Sequence, residues 1–273
     1  MTQKHLNTSA EPQWHHATWN PFVGCRKVSP GCARCYMFRD QEKYGRNPTE
    51  IRRTSDSTFY APLRLQQSHI IFTCSWSDFF IEEADAWRAD AWDVIRRTPH
   101  HIYQVLTKRP ERIAQCLPPD WNHGWPHVWL GVTAENQRMA NARVPILLQT
   151  PSATRWVCAE PLLGPLELTS FMQDNQTRLD WVVTGAETGP NARALDENWV
   201  RRLRDECTSA AIPLWYKQNN TGGVRIRNPR LDGKVWNQMP PLPSPESGVR
   251  RQRPARTPAK PLSAGQMNLF DEC

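Results

Sequence analysis

Residues 128–160 read VWLGVTAENQRMANARVPILLQTPSATRWVCAE. Two short apolar runs, VWLGVT (128–133) and TRWVCAE (154–160), flank a polar segment whose apolar residues recur at roughly helical spacing. Apolar runs of this length are typical of strands that are buried on both faces of a parallel sheet. The stretch therefore predicts a strand, a helix and a second strand, which together form one β/α unit.

The same alternation continues on both sides of this unit. Further strands are predicted at residues 70–76, 102–107, 179–185 and 213–217, with a first strand near Thr18 to Val23. Further helices are predicted at residues 84–97, at 197–211 and after Cys35. About six or seven β/α repeats favour an α/β fold, a full or partial parallel barrel, over an open doubly wound sheet.

The predicted organisation is one folded domain between two extensions. The barrel domain is expected over residues 14–238, after an N-terminal extension at 1–13. From residue 239 to 273 the chain is rich in proline and arginine and poor in apolar residues, so a disordered basic tail is predicted there.

Composition narrows the class of protein. The formal charge of +7 suits a polyanionic partner such as nucleic acid, although many basic proteins bind none. No run of eighteen apolar residues and no secretory signal occurs, which predicts a cytoplasmic protein without a membrane partner. Eight cysteines in a large chain without an export signal are expected to be reduced.

Three of the cysteines cluster in TWNPFVGCRKVSPGCARCYMF (18–38), where Cys25, Cys32 and Cys35 form a C-x6-C-x2-C pattern. Three close thiolates indicate zinc or an iron-sulfur cluster. A structural zinc site needs a fourth ligand, which His15 or His16 could supply. A four-iron cluster on three cysteines leaves one iron open for a cofactor such as S-adenosylmethionine. On residue types alone, the sequence is compatible with a structural zinc site and with a four-iron cluster.

The segment NPFVGCRKVSPGCARCY (20–36) resembles the motif of spore photoproduct lyase and its radical S-adenosylmethionine relatives. Those relatives usually have three residues between the first two cysteines, and the six found here resemble a phage-associated family with an extended motif. The resemblance spans about residues 14 to 240. It implies a 4Fe-4S cluster on the three cysteines, S-adenosyl-L-methionine as cofactor, an electron donor such as a flavodoxin or ferredoxin, and, for a phage protein, the host cytoplasm.

Further segments that carry this resemblance lie at predicted strand ends. They are SWSDFF (75–80), LTKRPER (106–112), GVTAEN (131–136), AEPLLGP (159–165) and GAETGP (185–190). Because the carboxyl ends of barrel strands surround the active-site mouth, their polar side chains are expected to converge there.

These strand-end residues are the candidate site. The predicted cofactor-binding residues are Ser75, Asp78, Thr133, Glu135 and Glu187. The predicted catalytic residues are Lys108, Glu160 and Lys217. Lys108 and Lys217, with Arg109, are also expected to meet a phosphate or carboxylate of the substrate, and Tyr36 to pack beside the cluster. The alternative is that the acidic residues cap the next helices and the basic ones are solvated.

The resemblance also suggests a reaction. It implies hydrogen abstraction by a 5'-deoxyadenosyl radical, and the phage-associated family favours an isomerase of DNA hypermodification. Such an enzyme would move an amino acid on a thymine methyl carbon from a nitrogen to a carbon linkage, with DNA or a modified thymine nucleotide as partner. Two alternatives are a radical DNA-lesion repair lyase and a zinc-stabilised nucleic-acid-binding protein without catalysis.

The end of the chain carries one more motif. QMNLF, from Gln266 to Phe270, resembles the short peptide by which bacterial proteins dock on the replicative sliding clamp. Tails without a core commonly carry such peptides. The motif predicts a sliding clamp as partner, and coincidence in a low-complexity segment is the alternative.

Overall fold

The computed structural model of the protein describes residues 13–173, 177–221 and 224–242. The strands are β1 Ala17–Trp19, β2 Phe22–Val23, β3 Arg52–Arg53, β4 Ile70–Thr73, β5 Ile102–Thr107, β6 Val128–Thr133, β7 Thr154–Ala159, β8 Trp181–Gly185, β9 Leu214–Thr221, β10 Val224–Arg227, β11 Arg230–Leu231 and β12 Lys234–Val235. The helices are α1 Tyr36–Lys43, α2 Asp56–Phe59, α3 Asp85–Arg97, α4 Ile113–Cys116, α5 Gln137–Gln149 and α6 Glu197–Ser209.

Eight strands form one curled sheet in the order β1-β4-β5-β6-β7-β8-β9-β10. The pairs from β1 to β9 are parallel, and β10 adds to β9 in the antiparallel sense. The sheet is a half-barrel, with β1 and β10 as its edges. The predicted partial barrel of about seven parallel strands is therefore confirmed.

Alternate side chains of each strand point to opposite faces of the sheet. One set, which includes Val105, Leu130 and Val157, forms a core with apolar residues of the long helices, such as Ile95 of α3 and Leu203 of α6. Asn136 and Asp196 cap α5 and α6 by accepting hydrogen bonds from the N–H groups of Met139 and Asn198, at 3.0 and 2.8 Å. The helices thus cover the convex face of the half-barrel.

The other set of side chains fills the concave face near the amino ends of the strands. Four tryptophans lie there, fully or almost fully buried: Trp129, Trp156, Trp181 and Trp215. The ring of Trp156 occupies the space above Gly131, where an added Cβ would lie 2.4 Å from it. This layer closes the lower half of the barrel and leaves the carboxyl ends of the strands open. Core packing is accordingly the main use of the tryptophans, as the sequence predicts.

The predicted first strand, from Thr18 to Val23, is split in the structure. β1 joins the main sheet, whereas β2 pairs with β3 in a separate two-stranded ladder. Between them Pro21 has no N–H to donate, and the side-chain oxygen of Asn20 accepts from the N–H of Trp76 at 2.8 Å. The break turns the following cysteine loop toward the carboxyl ends of the strands.

The seven cysteines within the described residues are all free thiols, in agreement with the expected reduced state. Cys273 and the peptide Gln266–Phe270 lie outside the described residues, as does most of the predicted tail. In the part of the chain that the structure describes, none of the helices combines the length and apolar character needed to span a bilayer.

Candidate functional site

A pocket opens at the carboxyl ends of the parallel strands. It contains about 1080 Å³ of space, part of it open to solvent. The three clustered cysteines line it, and so do all the other predicted site residues except Glu135: Ser75, Asp78, Lys108, Arg109, Thr133, Glu160, Glu187 and Lys217. The expected convergence of strand ends on one mouth is thus present in the geometry.

Each cysteine is positioned by a different local structure. Cys25 follows β2, after Gly24, whose φ of +95° and close approach to the Glu50 carbonyl exclude a side chain there. Cys32 ends the 3₁₀ turn Pro30–Cys32. Cys35 is the residue before α1 and stands at its N-cap position. A bend after β2, a 3₁₀ turn and a helix start thus bring the three thiols to the same pocket.

The three thiols do not share one electrostatic environment. Burial, with the nearby Asp78 carboxylate, raises the pKa of Cys25 to about 12. Burial also opposes ionisation of Cys32, but the ammonium of Lys108 and hydrogen bonds from the backbone of Val28 and Ser29 lower the pKa of this thiol below its usual value. The Cys32 thiolate is therefore stabilised by a cation that lies in the same pocket.

Neither histidine considered as a zinc ligand lies at the cysteines. His16 Nδ1 accepts from the N–H of Ile70 at 3.1 Å, at the amino end of β4. His15 stacks on Phe72 with ring centroids 5.9 Å apart. Within the described residues no group of three histidine, cysteine or acidic side chains converges closely enough to hold a single metal ion.

The three thiols carry the donor chemistry of an iron-sulfur cluster. Three free thiols face a pocket with ample space, and thiolate sulfur is the ligand that iron-sulfur clusters use. Lys108 adds a positive charge beside them, which suits a group held by three thiolates. Cys25, Cys32 and Cys35 are therefore the residues that could hold a cluster.

Lys108 lies at the centre of the pocket wall. Its Nζ donates to the Thr133 hydroxyl at 3.3 Å and forms no ion pair with a carboxylate of the described residues. Burial disfavours its charge, but Cys32, Glu135 and Cys158 raise the pKa of the ammonium above its usual value. It is a partly buried cation in the pocket without an acidic partner among the described residues.

Glu160 and Lys217 face each other across the ends of β7 and β9. Lys217 Nζ lies 3.0 and 2.8 Å from the two carboxylate oxygens, and Gln218 Nε2 donates to the same carboxylate at 2.5 Å. The ammonium also lies 4.5 Å from the ring centroid of Trp14. The pair is a fixed, hydrogen-bonded charge pair on the wall of the pocket.

Asp78 lines the pocket, yet its carboxylate is occupied by protein donors. It accepts from the Thr107 hydroxyl at 2.6 Å, from the N–H groups of Lys108 and Phe80 at 2.8 and 3.0 Å, and from Arg109 at 3.1 Å. Arg109 is only 8% exposed, and its other contacts are the Cys25 sulfur at 3.9 Å and the Arg26 carbonyl at 3.0 Å. Asp78 thus holds Arg109 against the cysteine loop, at the edge of the pocket that both residues line.

The two remaining acidic residues are held by arginines. Glu135 is fully buried behind the cysteine loop, where it accepts from the Gly31 N–H at 3.1 Å and from Arg143 at 2.9 Å. It supports the loop and does not reach the pocket surface. Glu187 lines the pocket but accepts from the N–H and Nε of Arg193, both at 2.9 Å. Although burial opposes it, Arg193 lowers the pKa of Glu187.

Several residues line the pocket besides the predicted metal-binding, cofactor-binding and catalytic residues. Tyr36 lies at the mouth, with its hydroxyl donating to the Ser75 carbonyl at 2.7 Å. Cys158, Phe72 and Leu106 line the apolar floor beneath the charged groups. The period of two along β7 identifies Cys158, since it precedes Glu160 by two residues and points to the same face.

Comparison with known proteins identifies a family but no characterised relative. No curated protein and no solved structure matches the chain. The family described as "Protein of unknown function (DUF5131)" matches residues 9–240, which include the whole half-barrel and its pocket. The chain therefore belongs to the DUF5131 family.

Proposed function

We propose that the protein is a radical S-adenosylmethionine enzyme that holds a 4Fe-4S cluster on Cys25, Cys32 and Cys35. The observation that supports this most is the pocket, which is lined by three free thiols, by Lys108 and by the Glu160–Lys217 pair. When bound, the cluster and S-adenosylmethionine supply an electron and a 5'-deoxyadenosyl radical that abstracts hydrogen. A flavodoxin or ferredoxin would serve as the electron donor.

The protein's own side chains bind and orient the ligands. Lys108 offers a partly buried positive charge to a carboxylate or phosphate of a ligand, since no carboxylate of the described residues pairs with it. Glu160 and Lys217 hold each other in place and present polar atoms to the substrate side of the pocket. The floor of Phe72, Leu106 and Cys158 keeps water from the reacting centre.

For the substrate we propose an amino-acid-modified thymine of phage DNA. The enzyme would remove one hydrogen atom, break the bond from the thymine methyl carbon to nitrogen, form a bond from that carbon to the amino-acid carbon, and return a hydrogen atom. The support is the likeness of residues 20–36 to the phage-associated family and the net charge of +7. Such a modification would protect phage DNA from restriction.

The chemistry is tested by anaerobic reconstitution with iron and sulfide, quantitation of iron and zinc, and an assay for 5'-deoxyadenosine with S-adenosylmethionine and dithionite. About four irons per chain and nucleoside release are expected. Both should be lost in Cys32→Ala and kept in the matched control Cys116→Ala, whose thiol lies on α4 outside the pocket. Stoichiometric zinc without cleavage would reject the enzyme in favour of a zinc-stabilised binding protein.

The reaction on DNA is tested separately. An isomerase converts the nitrogen-linked nucleoside to a product of equal mass and different chromatographic retention. A repair lyase would instead restore thymine in ultraviolet-damaged DNA and leave the amino-acid-modified thymine unchanged. Conversion of only the damaged DNA would replace the isomerase by the lyase.

A further inference from the structure

Three arginines near the pocket have no acidic partner within the described residues, although they do not line it themselves. Arg225 and Arg227 are exposed on β10, and within the described residues neither guanidinium forms a hydrogen bond or an ion pair. Arg39 of α1 donates only to the carbonyls of Arg34 and Thr188, at 3.0 and 3.3 Å. Uncompensated cations on a surface attract anions.

Their position relates them to the pocket. In the β9–β10 pair Arg227 lies opposite Gln218, which lines the pocket. The Arg225 guanidinium interacts electrostatically with Glu160 and Tyr36, two further residues of the pocket.

Several arginines on the convex side of the sheet form ion pairs with acidic side chains. Arg96 of α3 lies 2.8 Å from Asp120, and Arg204 of α6 lies 2.8 Å from Asp205. Arg112 likewise pairs with Asp85 at 2.7 Å. Within the described residues Arg202 of α6 also has no ion pair, so it is the position of Arg39, Arg225 and Arg227 near the pocket, and not the lack of a partner alone, that singles them out.

An aromatic ring stands among these cations. Tyr36 is 42% exposed, although its hydroxyl is fixed by the hydrogen bond to the Ser75 carbonyl. A fixed and exposed aromatic ring beside a line of cations is the combination that binds nucleic acid strands, because bases stack on the ring while phosphates meet the cations.

We infer that the pocket mouth is a polynucleotide-binding surface on which phosphates contact Arg39, Arg225 and Arg227 and a base stacks on Tyr36. This inference rests on the proposed function and makes its substrate more specific. The modified base is presented within a polymer and is not a free nucleotide. A polymer carries a phosphate at every unit and so can contact cations on α1 and β10 at the same time.

A competing explanation covers part of the pattern. Charged residues on an edge strand prevent unwanted pairing with other sheets, and β10 is an edge. This would account for Arg225 and Arg227, but not for Arg39, which lies on a helix, nor for the ring of Tyr36. Variants on β10 and on α1 therefore have to be compared.

The test is fluorescence anisotropy of the full chain with a labelled single-stranded 20-mer and the corresponding duplex. We expect Arg225→Gln with Arg227→Gln to weaken binding roughly tenfold per arginine at 0.1 M salt, the contribution of one phosphate contact. The slope of log K against log salt should fall by about one per arginine. Arg39→Gln should act in the same direction and Arg39→Lys should restore binding, whereas Tyr36→Leu should weaken binding with the salt slope unchanged.

The matched control is Arg97→Gln with Arg202→Gln, two exposed arginines on α3 and α6 that should leave affinity and slope unchanged. Three results would each overturn the inference. The first is an equal loss of affinity in the β10 pair and in the control pair, and the second is a loss of solubility without a loss of binding in the β10 pair. The third is competition by thymidine monophosphate at the concentrations used for the oligonucleotide. Release of 5'-deoxyadenosine, measured in parallel, separates it from the proposed function. Cleavage without oligonucleotide binding rejects only the surface, and binding without cleavage rejects only the radical chemistry.

Discussion

Asp78 shows how a polar residue at a strand end can serve the site without contacting a ligand. It is 5% exposed, and four protein donors already meet its two oxygens. Among them is Arg109, whose second contact is the sulfur of Cys25. Removing the carboxylate would leave a buried guanidinium without its counter-charge, which is one of the more destabilising changes known in protein interiors.

We therefore expect Asp78→Ala to lower the free energy of unfolding by about 3–5 kcal/mol, measured by urea denaturation of protein free of iron and S-adenosylmethionine. Asp78→Asn should lose less, because one acceptor oxygen remains. The control Asp90→Ala removes an exposed carboxylate on α3 and should change stability little. If Asp78 instead served only as a cofactor ligand, the unfolding free energy of Asp78→Ala would equal that of the control.

The elements of the fold are predictable from the sequence to a large extent. The runs IYQVLT and VWLGVT coincide with β5 and β6, since strands buried on both faces leave an unbroken apolar run. The common mouth for Thr133, Glu160 and Lys217 follows from the parallel order of the strands.

What the sequence does not reveal is which strand-end charges are already neutralised. Glu135 and Glu160 both follow apolar strands, yet Glu135 turns away to Arg143 and Glu160 faces the pocket. The partner of Asp78 comes from the next strand, 31 residues away. Such pairings depend on tertiary contacts, and no local pattern encodes them.

The amino ends of the strands carry histidines, whereas the carboxyl ends carry cysteine, lysine and acidic residues. Histidines directly precede β1, β4, β5 and β6: His16, His69, His101 and His127. His101 Nδ1 accepts from the N–H of His69 at 3.2 Å, and its Nε2 lies 3.2 Å from the Pro62 carbonyl. Burial, with repulsion from neighbouring histidines, lowers the pKa of His101 from 6.5 to about 4. The fold therefore requires this ring to be neutral.

The direction of the pH dependence follows from linkage. A histidine whose pKa is lower in the folded state than in the unfolded state binds its proton more readily when unfolded, so acid destabilises the fold. We expect the contribution of His101 to be complete above pH 6.5 and to be lost as the pH falls toward 4, at a cost of about 1–2 kcal/mol after allowance for solvent screening.

Urea denaturation between pH 7 and 4.5 provides the measurement. His101→Gln keeps a donor and an acceptor but has no titrating group, so its stability should fall less steeply with acid than that of the unaltered protein. His123→Gln, at an exposed position before β6, is the matched control and should reproduce the original pH profile. An identical profile for His101→Gln would show that the ring does not contribute to the acid sensitivity.

The half-barrel has an open edge near its pocket. The sheet does not close between β1 and β10, so the mouth lies beside the open edge that carries Arg225 and Arg227. An extended polymer can lie across such an opening while one of its units enters the pocket. The open edge would give the polymer space, and the arginines on it would contact the phosphates.

A tether to newly made DNA would deliver such a polymer, and the last residues of the chain offer a candidate. QMNLF (266–270) has the glutamine and the Leu-Phe pair expected of a sliding-clamp peptide. A tether raises the local concentration of substrate without a new contact in the pocket. We expect deletion of residues 262–273 to abolish capture of the chain by immobilised clamp, while 5'-deoxyadenosine release is unchanged. Leu269→Ala with Phe270→Ala in the full chain should have the same effect, because the anchors and not the length of the tail would be responsible. Capture that survives both changes would show the motif to be a coincidence of composition.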